Sequence, residues 1–227
     1  MRGLRLALMA VALLPGLRLF AQFLPPALSA GMGVTYRNPA DVVAVVNSTS
    51  GALERFPQFS AGAEFFAAVS FSLDSSWVVK LDYSYQISSL NIASSIETAQ
   101  FTITEHCPTL VLQYVLANEG VFNVRAGAGL GYHFGRLAKK FFTVDDTFSA
   151  RGPAFLAELE GNTAFGDHLF ACLGVNAGWS LVGSLSNAAG RSPGVTSTGE
   201  AATLNSFGVG ARLGFTYYLH SPSGDHR

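Results

Sequence analysis

Seven charged residues stand out for what surrounds them. Glu64, Lys80, Asp82, Arg125, Glu158, Glu160 and Arg212 each lie where small or hydroxyl residues fill one alternate set of positions and apolar residues the other. A desolvated charge persists only when it is paired and hydrogen-bonded, so four acids against three bases predict an internal, structural ion-pair network. Glu105-His106-Cys107 brings three metal-ligand types together, but no second cluster has ligand spacing, and neither a metal nor another cofactor is expected. Gly127-Ala128-Gly129-Leu130-Gly131 lacks the GxGxxG spacing of a nucleotide loop and sits inside an alternating stretch with no helix after it. Small residues that let opposite walls interdigitate are the better reading. Cys107 and Cys172 are the only cysteines; export would permit a disulfide, yet they fall on non-neighbouring strands and free thiols are expected.

The segments that must position these groups alternate with period two. The predicted strands are Leu28–Tyr36, about 58–73, Trp77–Ile87, about 101–116, Val121–Phe134, Ala154–Phe165, Leu169–Leu181 and Ser206–Leu219. In the third, Trp77, Val79, Leu81, Tyr83, Tyr85 and Ile87 oppose Lys80, Asp82, Ser84 and Gln86. Pro108 cannot donate to a ladder and predicts a bulge or a locally unpaired position. Tight turns at about 74–76, 117–120 and 166–168 alternate with long loops at about 37–57, 88–100, 135–153 and 182–205. Tyr36, Trp77, Tyr83, Tyr85, Tyr114, Trp179, Tyr217 and Tyr218 collect toward strand ends, where amphipathic rings suit a headgroup level.

Composition decides what surrounds such a sheet. The 227 residues are 49% hydrophobic but only 13% charged, with a net charge of −1 and a mean hydropathy of +0.31. A soluble domain carries about 25% charged residues, and no basic field exists to hold nucleic acid. Met1-Arg2-Gly3-Leu4-Arg5 followed by the apolar run Leu6–Leu14 has the form of a secretory signal peptide, residues 1–21, with cleavage after Ala21 or, alternatively, near Ala30. An exported chain that spans a membrane without long apolar helices must do so as a closed sheet. The fold expected for residues 22–227 is all-β: a single eight-stranded antiparallel up-and-down transmembrane β-barrel with short periplasmic turns and long extracellular loops. A soluble lipocalin-like carrier is the alternative, but its hydrated face would have to be built largely from Gly, Ser and Asn.

The closing segment Arg212-Leu213-Gly214-Phe215-Thr216-Tyr217-Tyr218-Leu219 resembles the C-terminal insertion signal of the small eight-stranded outer-membrane barrels of Gram-negative bacteria, the OmpA/OmpX-like and PorT-type barrels. Arg212, Gly214, Tyr217 and Leu219 take the signal's polar, glycine and hydrophobic places, and the chain then continues through His220 to Arg227. The resemblance implies location in the outer membrane and recognition by the outer-membrane assembly machinery. Further expected partners are membrane lipid and lipopolysaccharide, with a monomeric barrel. The expected role is structural or surface-interacting, for adhesion or envelope integrity, through the extracellular loops. In the first loop, Val42, Val43, Val45 and Val46 would extend a strand or present an adhesive edge; in the third, Lys139, Lys140, Phe141 and Phe142 would meet lipopolysaccharide phosphates. His106, His133, His168 and His220 offer no serine partner on one lipid-facing surface, so no enzymatic activity is expected; a lipid-modifying enzyme is the alternative.

Overall fold

A computed structural model describes residues 26–49, 60–93, 98–141, 144–194 and 199–219; the expected signal peptide lies outside them. Eight strands follow one another around a ring: β1 Ala27–Asn38, β2 Ser60–Ser72, β3 Trp77–Ala93, β4 Thr98–Asn118, β5 Phe122–Phe141, β6 Val144–Ala164, β7 Leu169–Ser180 and β8 Ser206–Tyr218. Every neighbouring pair is antiparallel, and β1 closes on β8 to make a barrel without free ends to its order. The described residues between β1 and β2 form a helix, α1, Ala40–Thr49. No described helix is long and apolar enough to cross a membrane.

The three tight connections are built locally. Asp74 Oδ1 accepts from the backbone N–H groups of Ser76 and Trp77 at 2.7 and 2.8 Å, so the β2–β3 turn is an Asp-closed loop. Gly120, at φ +75°, supplies the left-handed residue of the β4–β5 turn. Between β6 and β7 the Phe165 N–H donates to the Leu169 carbonyl at 2.7 Å.

The opposite end differs from the sequence expectation. β4 and β6 reach 21 residues against 12 in β1 and β7, about 30 Å of additional strand. β3 pairs with β4 as far as Ala93↔Thr98, and β5 with β6 as far as Phe141↔Val144. The expected loops at 88–100 and 135–153 are therefore strand extensions. Only the connections after β1 and after β7 leave the sheet for long. The expected valine strand after β1 is also corrected: Val42 and Val46, four apart on α1, point to one side and are fully buried. Of the two outcomes expected at Pro108, the structure shows the locally unpaired one: Pro108 stays in register with Tyr83 of β3 but drops out of the ladder with β5, whose register shifts only between Val115 and Ala117.

These extensions divide the interior into two tiers of opposite character. In the lower tier, next to the tight turns, the wall faces outward with Met32, Leu81, Leu130 and Val175 and inward with Glu64, Lys80, Gln113 and Asn162; Leu130 is 65% exposed while Glu64 is inaccessible. In the upper tier the same strands invert. β4 sends Phe101 and Ile103 inward and Thr102 and Thr104 outward. There Leu137 and Phe148 join Val42 and Val46 of α1 and Val182, Leu185 and Leu204 of the β7–β8 connection in one apolar core. Apolar burial holds that cap over the barrel mouth. Asp41 fastens it, since its Oδ2 accepts from both the N–H and the hydroxyl of Thr203 at 3.1 and 2.5 Å.

Candidate functional site

The lower lumen is crossed by two charged bridges. Arg212 on β8 directs one guanidinium nitrogen to both carboxylate oxygens of Asp82, at 3.2 and 3.1 Å, and the other to Glu64 Oε1 at 2.7 Å. Its guanidinium carbon, Cζ, lies 5.1 Å from the centre of the inward Phe66 ring. That ring fits because Gly31 and Gly214, partners in the β1–β8 seam, have no side chains: a Cβ on either would stand 2.8 or 2.9 Å from it. Lys80 on β3 spans to β6, with Nζ 2.5 Å from Glu158 and 2.9 Å from Glu160. Gln113 Nε2 donates to Glu158 at 2.6 Å, Asn162 Nδ2 to Glu160 at 2.9 Å, and the Thr216 hydroxyl to Asn162 Oδ1 at 2.9 Å.

Six of the seven expected network residues are thus joined. Arg125 is inward and buried, but it forms no ion pair among the described residues; it donates to the Tyr218 hydroxyl at 2.7 Å. Tyr218, expected among the headgroup-level rings, is accordingly a lumen residue. Of the expected insertion signal, Arg212 and Gly214 face the lumen while Tyr217 and Leu219 are exposed on the outer face. The side chains of Gln113, Gln86 and Asn162 complete the plug. They carry no charge, which is why a reading led by charge did not select them.

A second polar cluster sits above, beneath the apolar cap. Arg37, at the top of β1, pairs with Glu105 of β4 and donates to Gln86 Oε1 at 2.9 Å and Ser180 Oγ at 2.5 Å. His133 Nδ1 is 2.9 Å from Ser180 Oγ and 3.7 Å from Glu105 Oε2. Cys107 lies beside them; Cys107 Sγ, Glu105 and His133 all come within 4.8 Å of one another. Between this cluster and Arg212 is a cavity of about 40 Å³, edged by Thr35, Ser84, Thr109 and Asn176. It has room for a water or two, and the buried Asn176 Nδ2 lacks a protein partner there.

This cluster contains three residues of catalytic type, and its geometry constrains what they can do. A serine nucleophile needs its hydroxyl against one nitrogen of an imidazole base and an orienting carboxylate against the other. Here Ser180 and Glu105 both approach the same nitrogen, Nδ1 of His133, and Arg37 engages both oxygens. The arrangement is a closed hydrogen-bond knot. The Glu105–Cys107–His133 group likewise has the guanidinium of Arg37 on its carboxylate, which opposes a second cation at the same place. His106, next to Glu105 in sequence, faces the other way, with Nδ1 2.6 Å from the Tyr83 hydroxyl on the outer wall. Both cysteines are free and buried. Ser180 reaches His133 from β7, a juxtaposition that no local spacing marks, and Arg37 lies one residue beyond the alternation that closes at Tyr36.

The outer wall is graded by rows of register partners. Leu81, Leu110, Leu130, Phe155, Trp179 and Phe207 form one row around the barrel. Two rows higher come Tyr85, His106, Phe134 and Arg151, and above them Ile87, Thr104, Arg136 and Ser149. Lys139, expected on the outer surface, faces inward over the Phe101 ring at 5.8 Å, while Lys140 is exposed opposite Asp145. Phe141 ends β5, and Phe142 lies outside the described residues.

The chain matches no protein-family model and no curated protein. Among solved structures it is similar to neisserial surface protein A, with a TM-score of 0.51 and 10% identity over 86% of this chain and 97% of that one. Ail of Yersinia pestis gives a TM-score of 0.49 at 11% identity, over 85% of this chain and 97% of that one. OprG of Pseudomonas aeruginosa gives 0.47 at 15%, over 86% and 96%. At such identities the likeness is one of fold, that of a small outer-membrane β-barrel.

Proposed function

We propose that this protein is an integral outer-membrane β-barrel with a closed lumen, acting by structure and surface interaction rather than by catalysis. The carrying observation is the inversion between tiers. The lower wall is apolar outside and ionic inside; the upper wall is polar outside and apolar inside. A chain wholly in water would leave the lower band exposed at about 25 cal/mol for each Å², and contiguous apolar patches beyond a few hundred Å² mark an interaction or membrane surface. Trp77 to Tyr85 is nine residues of β3, the length of strand that crosses a hydrocarbon layer at a tilt. A lipocalin-like carrier needs the reverse polarity.

The bridges of Arg212 and Lys80 cross the bore of an eight-stranded barrel, whose interior is filled by side chains in any case, so diffusion through it is not its role. The capped upper tier, with α1 and the β7–β8 connection fastened together, supplies a rigid extracellular platform for adhesion or envelope integrity. Closure of β1 on β8 leaves the ring no open edge, which suits a monomer. The outward Tyr217 and Leu219 suit the reading of the final strand by the assembly machinery, and the outer leaflet brings lipopolysaccharide against the wall. The second reading, a lipid-modifying enzyme, draws on Ser180 and His133; their place inside the barrel under the cap disfavours it.

The test is electrophoretic and chemical. A folded membrane barrel extracted in detergent migrates faster unheated than boiled, forms no steady conductance in planar bilayers, and leaves the lipid A mass spectrum of its cells unchanged. Partition into the aqueous phase without detergent would establish the carrier instead, and an altered lipid A spectrum the enzyme.

A further inference from the structure

The charges of the outer wall are confined to one sector. Among the described strand residues, those that face outward and carry a charge are Arg136 and Lys140 on β5 and Asp145 and Arg151 on β6. Lys140 and Asp145 are register partners of opposite charge, higher on the wall. Arg136 and Arg151 have no carboxylate within ion-pair distance among the described residues; Arg136 only donates to the Thr147 hydroxyl at 3.3 Å. Because Arg136 is opposite Ser149, the two arginines are diagonal neighbours on one face, close enough to share a ligand. Beside them a groove of about 620 Å³ runs over Tyr85, Thr104, His106, Phe134 and Arg136.

We propose that this sector docks the phosphate of a phosphorylated glycolipid from the surrounding outer leaflet. The proposal rests on the outer-membrane reading above. Two planar guanidinium forks suit a phosphate better than any neutral headgroup, and the hydroxyls of Thr104 and Ser149 add neutral donors. Height selects a lipid over a soluble polyanion. The arginines occupy the row of Phe134 and the row above it, at the upper limit of the apolar wall, where a headgroup phosphate sits if acyl chains lie against Leu130, Tyr132 and Phe134. Tyr85 and His106, 5.1 Å apart between ring centres, form the aromatic side of the groove.

The full chain in detergent micelles, titrated by native mass spectrometry, tests this. The ligands are diphosphoryl lipid A, dephosphorylated lipid A and, as a soluble polyanion, hexametaphosphate; the proteins are wild type, R136Q/R151Q and the exposed-loop control R191Q. Wild type and R191Q are expected to prefer the diphosphoryl form about tenfold or more, and R136Q/R151Q to lose that preference while keeping its heat-dependent gel mobility. Equal binding of both lipids by wild type, or an undiminished preference in R136Q/R151Q, would overturn the proposal. So would loss of hexametaphosphate binding with lipid A binding intact, which would make the sector a soluble-polyanion site. A chain that shows no heat-dependent mobility at all would overturn the outer-membrane reading as well as this one, whereas the other failures leave that reading standing.

Discussion

Replacing Arg212 by methionine keeps most of the side-chain volume and removes the cation that serves two buried carboxylates. Arg212 makes three hydrogen bonds, two to Asp82 at 3.2 and 3.1 Å and one to Glu64 at 2.7 Å, and Glu64 is inaccessible to solvent. A hydrogen bond to a charged group contributes about 1.5–3 kcal/mol, so treating the bidentate contact as one interaction gives about 3–6 kcal/mol. Removing one partner of a buried ion pair costs about 3–5 kcal/mol by the same logic of an uncompensated charge. Arg212→Met should therefore destabilise the barrel by about 3–5 kcal/mol. The triple replacement Arg212→Met, Glu64→Gln, Asp82→Asn removes the orphaned charges with the cation and should recover more than half of that. Urea unfolding in lipid vesicles, followed by tryptophan fluorescence from the outward Trp77 and Trp179, measures both. A loss below about 1 kcal/mol in the single variant, or a triple variant no better than the single one, would refute the view that Arg212 is held by its two carboxylates.

Other expectations follow from particular contacts. Gly31→Ala would bring a Cβ within 2.2 Å of the Leu213 carbonyl across the closing seam, a backbone atom that cannot yield alone; a cost of about 1–3 kcal/mol is expected in the same unfolding assay. Gly166→Ala, with nothing within 4 Å, should change stability by no more than about 0.5 kcal/mol. Cys107 and Cys172 should resist maleimide in the folded barrel and react fully once it is boiled, and modification of either in the native state would contradict their inward placement. Asp41→Ala removes both hydrogen bonds to Thr203 and should accelerate amide exchange of the segment around Thr203 by about tenfold, leaving heat-dependent mobility unchanged.

What could be read in the sequence was set by how consistently one polarity held along a strand. In β3, Lys80, Asp82, Ser84 and Gln86 alternate cleanly with aromatic and aliphatic residues, and parity alone placed its charges inside. In β4 the apolar face changes side, from Phe101 and Ile103 to Leu110 and Leu112, because the strand passes from a tier with an apolar core into one with an apolar exterior. A period-two reading sees that crossover as disorder in the pattern, although it carries β4 across it, from about 101 to 116. The same effect turned the extensions of β5 and β6 into loops. Helix α1 was hidden by composition, since four valines in five residues favour a strand, and only burial of Val42 and Val46 beneath Leu204 decides otherwise. The Arg37–Glu105–His133–Ser180 knot joins four strands, and no local spacing announces it.

The central claim is that the lower wall turns its apolar side chains toward hydrocarbon and its charges toward the bore. Nitroxide labels placed singly at Leu81, Leu130, Val175, Thr109 and Asn162, in a chain carrying Cys107→Ser and Cys172→Ser and reconstituted into vesicles, measure it directly. The first three labels should collide freely with oxygen dissolved in the bilayer and be shielded from a water-soluble nickel chelate, while the last two should be immobilised and reached by neither. Labels at Leu81, Leu130 and Val175 reached by the nickel chelate, or quenched by oxygen no more than those at Thr109 and Asn162, would contradict it.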